Sequence, residues 1–154
     1  MTSFKIFDIA GSAMKAQSLR LNLVASNLSN AESVSSSINQ TYRSRQPVFA
    51  AQLQDAMNVR SGQGKGGAAS QNNDAAAGVQ VLGVVESQAA PRMEYAPENP
   101  LANAEGYIFR PNVNTIEEMT NMISASRSYQ DNVEVLNTAK QLMLQTLRLG
   151  QSGQ

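Results

Sequence analysis

The chain contains no histidine, no cysteine and no tryptophan among its 154 residues. Histidine is the most common general base at neutral pH, and cysteine supplies thiol nucleophiles, so many enzyme mechanisms lack their usual residues here. Without either residue, a zinc site would have to be built from carboxylates alone. The 12 basic residues balance the 12 acidic ones, whereas a nucleic-acid-binding protein normally carries a basic excess. These absences argue against an enzyme, a metal or other cofactor, and a nucleic-acid partner.

Long hydrophobic runs are also lacking, since none approaches the roughly 18–20 apolar residues needed to cross a bilayer. Residues 1–16 are interrupted by Lys5, Asp8 and Lys15, and they do not have the form of a cleaved secretory signal. We therefore expect no membrane span and no cleaved signal peptide. If the protein leaves the cytoplasm, another export route must carry it.

The N-terminal segment predicts a long amphipathic helix. Its stripe positions recur at alternating spacings of three and four, which is the pattern of a heptad repeat. They are Phe7, Ala10, Met14, Gln17, Leu21, Val24, Leu28 and Ala31. Gln17 is the one polar interruption among mostly apolar residues. A serine-rich segment at 33–37 favours turns over helix, so the helical segment is predicted as residues 1–33.

The C-terminal segment predicts a second helix, from Thr115 to about Leu149. Its stripe shows the same alternation of spacings at Met122, Ser126, Tyr129, Val133, Leu136, Lys140, Met143 and Leu147. Thr115 and Glu118 have the spacing of a capping box at the start, and Gly150 is a plausible stop. The second helical segment is therefore predicted as residues 115–150.

Each helix has an apolar stripe, and its evident partner is the other helix. We therefore predict that the two ends of the chain pair as a coiled coil. An isolated pair of helices leaves its outer surface in water, so it would gain only part of the free energy of burial and would be completed by neighbouring subunits. The alternative is that the pair docks onto a separately folded core.

Residues 34–114 have a different character and predict a small β-rich middle domain. All five prolines lie here, together with short β-branched and aromatic runs that are typical of strands. The extended segments are predicted at Tyr42–Phe49, Val79–Val85, Arg92–Tyr95 and Gly106–Phe109. Pro47 would place the first at an edge, and the Gly/Ser/Asn-rich residues 61–78 predict a flexible excursion. The expected fold class is α+β.

Two motifs that could suggest chemistry have simpler explanations. Gly62, Gly64 and Gly67 match the spacing of a dinucleotide-binding fingerprint, but no hydrophobic strand precedes them and no apolar helix follows. Glu117 and Glu118 are adjacent, and adjacent helical residues point about 100° apart, so they do not form a catalytic pair. We predict no catalytic, cofactor-binding or metal-binding residues.

The segment Ala25–Ala31 (ASNLSNA) is unusual because it places serines and asparagines inside a predicted helix. These residues have lower helix propensity than alanine or leucine. One interpretation is a helix that frays at its end. The other is a polar seam that forms hydrogen bonds to neighbouring subunits.

This asparagine-rich segment, which closes an N-terminal amphipathic helix, resembles a signature of bacterial flagellar rod and hook proteins. Further segments closely resemble the flagellar basal-body rod proteins: Arg43–Phe49 (RSRQPVF), Tyr95–Tyr107 (YAPENPLANAEGY), Pro111–Met119 (PNVNTIEEM) and Ala125–Tyr129 (ASRSY). The resemblance covers nearly the whole chain, with residues 61–78 as the exception.

The resemblance implies a structural subunit of the proximal rod, the part of the flagellar drive shaft that crosses the periplasm and transmits torque. In this family the terminal helices form a coiled-coil inner domain. Subunits stack helically with copies of themselves and with other proximal and distal rod proteins. The resemblance also implies export by the flagellar type III apparatus without a cleaved signal, with Phe7, Ile9 and Ala10 in the segment expected to act as the export signal.

The stripes and the asparagine cluster together define the residues expected to serve helix packing and assembly. They are Phe7, Met14, Leu21, Val24, Asn27, Leu28, Asn30, Met122, Tyr129, Val133, Leu136, Met143 and Leu147. The alternative to a rod subunit is a small soluble helical-hairpin adaptor that presents a groove to a peptide. An enzyme that uses Asp or Glu is a third possibility, but the sequence offers no carboxylate pair for it.

Overall fold

The computed structural model describes residues 2–52 and 78–151, with side chains for residues 5–52 and 78–150. Along the chain, four strands lie between two long helices, in the order α1, β1, β2, β3, β4, α2. The chain divides into two compact units. The terminal unit is the described part of residues 1–16, 49–81 and 129–154, and the central unit is residues 17–48 and 82–128.

Helix α1 runs from Thr2 to Asn30, where the stripe predicts it. Its buried side chains are Ala10, Ala16, Val24 and Asn27. The helix ends before the predicted limit at residue 33 for a visible reason. The backbone N–H and the Oγ of Ser33 both donate to the carbonyl oxygen of Asn30, at 3.1 and 2.8 Å. This serine satisfies the last helical carbonyl and turns the chain.

Helix α2 runs from Thr115 to Gln151. The capping box that was predicted at its start is wrong. The cap is Asn114, whose Oδ1 accepts the backbone N–H of Ile116 at 3.2 Å. Glu118 does not fold back onto the start of the helix, as a capping box requires. Its side chain is buried and accepts a hydrogen bond from Asn27 in the central unit.

The predicted stop at Gly150 is also wrong. The helix continues through it to Gln151, and Gly150 is not among the glycines with positive φ. A glycine costs a helix about 1 kcal/mol relative to alanine. That cost does not end the helix at Gly150.

Strands β1 (Arg45–Ala51) and β2 (Val79–Glu86) form a two-stranded sheet, in agreement with the predicted extended segments. The N–H of Gln52 donates to the carbonyl oxygen of Gly78 at 2.9 Å, and that of Ser87 to Ser44 at 2.8 Å. These bonds at opposite ends of the ladder make the strands antiparallel. Pro47 is tolerated in β1 because each strand of a two-stranded sheet has one unpaired edge.

Strands β3 (Arg92–Tyr95) and β4 (Tyr107–Arg110) form a second antiparallel pair, with Tyr95 opposite Tyr107. Gly106 precedes β4 with φ +82°, and a Cβ at this position would lie 2.8 Å from the Tyr95 ring. Ser35 extends the pair, because its N–H and C=O both bond to the backbone of Phe109 at 3.0 and 2.9 Å.

The hydrophobic core of the central unit is formed by side chains of β4, of the two helices and of the segments next to them. Its buried apolar side chains are Val24, Ala31, Ile108, Phe109, Val113 and Ala125. Ile108 is only 1% exposed, and Ala125 is fully buried. The predicted α+β class is confirmed, because the structure has a helix at each end of the chain and small antiparallel strand pairs between them.

Two predictions fall wholly or partly outside the description. The glycines at 62, 64 and 67 and most of the segment 61–78 lie outside the described residues. Among the helices that are described, neither has a stretch long and apolar enough to cross a membrane.

Candidate functional site

Asn27 is the point at which α1, α2 and β1 are joined in the central unit. Its side chain is 1% exposed. The amide nitrogen Nδ2 donates to the carbonyl oxygen of Arg45 at 2.9 Å and to Oε1 of Glu118 at 3.0 Å. The amide oxygen Oδ1 accepts the backbone N–H of Arg45 at 2.9 Å and the hydroxyl of Tyr42 at 2.8 Å. Both halves of the carboxamide are therefore fully used within the chain.

Glu118 supplies the α2 side of this junction. Its carboxylate is buried and accepts hydrogen bonds from Asn27 and, at a longer 3.5 Å, from the hydroxyl of Ser44. Both of these donors are neutral. Burying a carboxylate costs free energy unless its oxygens are hydrogen bonded. Glu118 therefore requires hydrogen-bond donors beside it, and Asn27 and Ser44 supply them.

Arg45 connects the junction to the sheet. Its guanidinium lies 5.7 Å from the centre of the Tyr42 ring and forms an ion pair with Glu86, with Nη2 and Oε1 separated by 3.1 Å. Both charged side chains are about half exposed, so the pair stabilises the unit by well under about 1 kcal/mol. The pair joins the first residue of β1 to the last residue of β2.

A second hydrogen bond between the helices lies two turns earlier in α1. Nη2 of Arg20 donates to Oδ1 of Asn121 at 2.9 Å. As the residue number in α1 rises from 20 to 27, the residue number of the hydrogen-bond partner in α2 decreases, from Asn121 to Glu118. The two helices therefore run antiparallel in the central unit.

The terminal unit carries a different kind of surface. Ile6 of α1 and one face of α2 line an open groove of about 540 Å³. The apolar lining residues are Ile6, Val135, Ala139, Leu142 and Met143. Leu142 is 58% exposed. Asp131 and Glu134 add negative charge to the groove.

The terminal unit also links α1 to β2. Oγ of Ser12 accepts the backbone N–H of Val79 at 3.1 Å and donates to the carbonyl oxygen of Ile9 at 2.8 Å. Gly78 lies directly against this serine, because a Cβ there would be 2.5 Å from the Ser12 hydroxyl. A larger residue at position 78 would therefore displace the contact.

The predicted packing and assembly residues differ in exposure. Buried are Val24 and Asn27; half-buried are Phe7, Met14, Leu21, Leu28, Asn30, Met122, Val133, Leu136 and Met143; exposed are Tyr129 and Leu147. In the segment expected to act as the export signal, Phe7 is half-buried, Ile9 is exposed and Ala10 is buried. The stripe thus follows the covered side of α1 more closely than that of α2.

The two asparagines of the cluster have different partners. Asn27 bonds to β1 and α2, whereas Nδ2 of Asn30 donates to the carbonyl oxygen of Ser26 at 2.8 Å and to the hydroxyl of Ser29 at 3.3 Å. Asn30 therefore bonds within its own helix. The segment is helical to Asn30, and Ala31 begins the turn that follows.

Several residues of the junction were not singled out by the sequence as packing residues. The sequence predicts Glu118 as part of a capping box, and it includes Tyr42, Ser44 and Arg45 only in the extended segment Tyr42–Phe49. The signal in the sequence is Asn27, a polar residue next to the apolar stripe of α1. If its amide is buried, it requires polar partners. The identity of those partners depends on contacts distant in sequence.

Among the residues that the structure describes, there is no group of three or more acidic side chains that could hold a metal ion. The polar network is instead a set of hydrogen bonds that join one carboxamide, one carboxylate and neutral donors. Such an arrangement can fix the geometry of three elements, and nothing in its chemistry activates a nucleophile or transfers a proton.

Two family models match the chain. The model described as "Flagella basal body rod protein" matches residues 7–34, and the model described as "Flagellar basal body rod FlgEFG protein C-terminal" matches residues 104–149. The two matched segments contain both sides of the junction, Asn27 and Glu118.

Curated relatives match over nearly the full length. The flagellar basal-body rod protein FlgC of Salmonella typhimurium is 50% identical over 151 residues, covering 98% of this chain and 100% of the relative. FlgC of Escherichia coli O6:H1 is 51% identical with the same coverage. FlgC of Bacillus subtilis is 30% identical over 154 residues, covering 97% of this chain and 99% of the relative.

Proposed function

This chain belongs to the FlgC family of flagellar basal-body rod proteins, and from that premise we propose that it assembles helically into the proximal rod through its paired terminal helices. It is a structural subunit of the flagellar rod and not an enzyme. The observation that carries the proposal is the end-to-end match to rod proteins at about half identity. The finer assignments below depend on the contacts of the described residues.

The proposed coiled coil extends the antiparallel contact of α1 and α2. The hydrogen bonds Asn27–Glu118 and Arg20–Asn121 support this pairing in the central unit. In the terminal unit, Ile6 and the α2 residues around Leu142 line one groove. Heptad spacing on both helices is the sequence pattern that a continuous pair requires.

The proposed partners are copies of this chain and other proximal and distal rod proteins. Exposed apolar side chains on α2 support a role in assembly, because Ile116, Ile123 and Leu149 are 76, 62 and 72% exposed. Contacts between different patches on successive subunits do not close into a ring and therefore generate a rod. The proposed location is the shaft that crosses the periplasm, where many such contacts would transmit torque.

The proposed export route is the flagellar type III apparatus, with Phe7, Ile9 and Ala10 in the recognised segment. A chain without cysteine can be threaded unfolded without any disulfide to reduce. Replacing Ile9, which is 38% exposed, by serine should reduce export with little effect on folding. Normal secretion of this variant would contradict the assigned signal.

The test of the rod function is deletion of the gene, followed by swimming assays and imaging of isolated basal bodies. The expected result is loss of swimming and of assembled rods, with both restored by the parental gene. In density for the restored rod, the two helices of one chain should lie side by side. Intact rods in the deletion strain, or helices splayed apart, would overturn the proposal.

The groove of the terminal unit favours a second candidate, a helical-hairpin adaptor that binds a peptide. An adaptor predicts a stable monomer or dimer at micromolar concentration, saturable peptide binding and intact rods after deletion. Sedimentation of the purified chain, together with the deletion experiment, distinguishes the two functions.

A further inference from the structure

We infer that Asn27 sets the register in which α1 packs against α2, and that Asn30, three residues later in the same motif, has no part in it. The inference concerns packing within one chain and does not rest on the rod function. It assigns to one residue of the asparagine cluster a positioning role that the cluster as a whole does not have.

The first argument is that the Asn27 carboxamide is saturated. A carboxamide offers two N–H donors and an oxygen with two lone pairs. All four are used, with donor–acceptor distances between 2.8 and 3.0 Å, by the Arg45 backbone, Tyr42 and Glu118. Any displacement of α1 relative to α2 or β1 breaks at least one of these bonds in a water-excluded site.

The second argument is that apolar side chains alone do not define the register. Apolar stripes with heptad spacing can slide past one another and still bury similar area, whereas a single buried asparagine at the interface fixes register by leaving polar groups unpaired elsewhere. Here the requirement is stronger, because the partner is the buried carboxylate of Glu118. A shift of three residues in one direction would place Val24 in the position of Asn27.

A shift of three residues in the other direction would place Asn30 in the position of Asn27. This is the one nearby register that still offers Glu118 an amide donor. Removal of the Asn27 amide should therefore move α1 by three residues towards its own N-terminus, which is about 4.5 Å at 1.5 Å per residue.

The experiment uses spin labels on the full-length chain and pulsed electron–electron distance measurements. The chain has no cysteine, so the substitutions Ser18→Cys and Glu117→Cys provide the only two labelling sites. Both side chains are exposed and lie in the central unit. Because the helices are antiparallel there, the shift separates the two labels, and the mean distance should lengthen by a few ångströms, up to about 4.5 Å.

The matched pair of variants is Asn27→Leu and Asn30→Leu in the labelled background. The parent and Asn30→Leu should each give one population at the same distance, because the Asn30 bonds lie within α1. Asn27→Leu should give a longer or two-component distribution, with helical circular dichroism retained. An unchanged distribution in Asn27→Leu, or a broad one in the parent, would overturn the inference.

A second pair keeps the inference testable if Asn27→Leu fails to fold. Asn27→Asp places a second carboxylate beside Glu118, while the double variant Asn27→Asp/Glu118→Gln restores the hydrogen bond with donor and acceptor exchanged. The bond to the Arg45 carbonyl oxygen is lost in both, so the pair isolates the contact with α2. The double variant should recover at least half of the parental distance population. No recovery would show that the contact does not set the register.

Discussion

In the central unit, α1 and α2 are joined by side-chain hydrogen bonds around the buried Asn27, whereas in the terminal unit the same helices line an open groove of exposed apolar residues. The central unit buries large side chains such as Ile108 and Phe109. In the described part of the terminal unit, the buried hydrophobic residues are Ala10 and Ala16.

The difference indicates that the two units have different sources of stability. In the central unit, the buried side chains of Asn27 and Glu118 are hydrogen bonded to each other and to Tyr42, Ser44 and Arg45 of the same chain. The terminal unit leaves Leu142, Leu144 and Leu147 between 47 and 64% exposed. Its hydrophobic free energy is released only when another surface covers these residues.

The largest predicted effect compares one residue from each unit. Ile108→Ala should lower the free energy of unfolding by about 4 kcal/mol, because the side chain is 1% exposed and its loss leaves a cavity. Leu147→Ala, at 64% exposure, should change it by less than about 0.5 kcal/mol. Urea unfolding of the isolated chain measures both values. Similar losses would mean that the two units are equally well packed.

Leu136→Ala tests the half-buried side of α2 in the terminal unit. We expect a loss of about 1–2 kcal/mol in the isolated chain, below the range for a fully buried leucine, and a disproportionate loss of swimming. The matched measurements are urea unfolding and motility of the complemented deletion strain. Normal swimming would indicate that this position is not covered in the assembled rod.

Gln17→Leu should raise stability by about 1 kcal/mol. Among the described residues, Oε1 of Gln17 is buried without a hydrogen-bond partner, and replacing an unsatisfied polar group with an apolar one of similar size removes its desolvation cost. Gln17→Ala is the control, since it removes the polar group but leaves a cavity. A less stable Gln17→Leu variant would show that the amide is satisfied in solution.

The smallest effect concerns the ion pairs of Arg110. Nη1 lies 2.7 Å from Oε2 of Glu32, and Nε lies 2.8 Å from Oε2 of Glu94. Because both carboxylates are largely exposed, Glu94→Gln should cost about 0.5 kcal/mol at low salt and almost nothing at about 1 M salt, where screening is nearly complete. A loss that persists at high salt would indicate a buried role for Glu94.

The sequence predicted the helices and strands because their signals are local. The alternating stripes located α1 and α2, and β-branched or aromatic runs located β2, β3 and β4 to within one residue. The errors were at helix ends and at β1, which was predicted at Tyr42–Phe49 and lies at Arg45–Ala51. Ser33 and Asn114 form the actual turn and cap, because several adjacent polar residues can serve and the competition between them depends on where the chain goes next.

The junction could not be predicted because its members are widely spaced in the chain. Asn27 and Asn30 share one short motif and one residue type, yet one is buried against α2 and the other bonds within α1. A heptad pattern identifies the covered side of a helix. It does not identify which polar group of the facing helix will form a hydrogen bond with it. Glu118 was predicted as part of a capping box because its actual partner, Asn27, is distant in the sequence.

The spacing between Asn27 and Glu118 also has a consequence for timing. They are 91 positions apart along the chain, and a polypeptide that emerges N-terminus first completes α1 long before the glutamate arrives. Contacts between such distant positions form slowly, since a long loop must first close. Tyr42 and Arg45 lie only 15 and 18 positions after Asn27, so the bond to Glu118 is the last of the four Asn27 hydrogen bonds that can form.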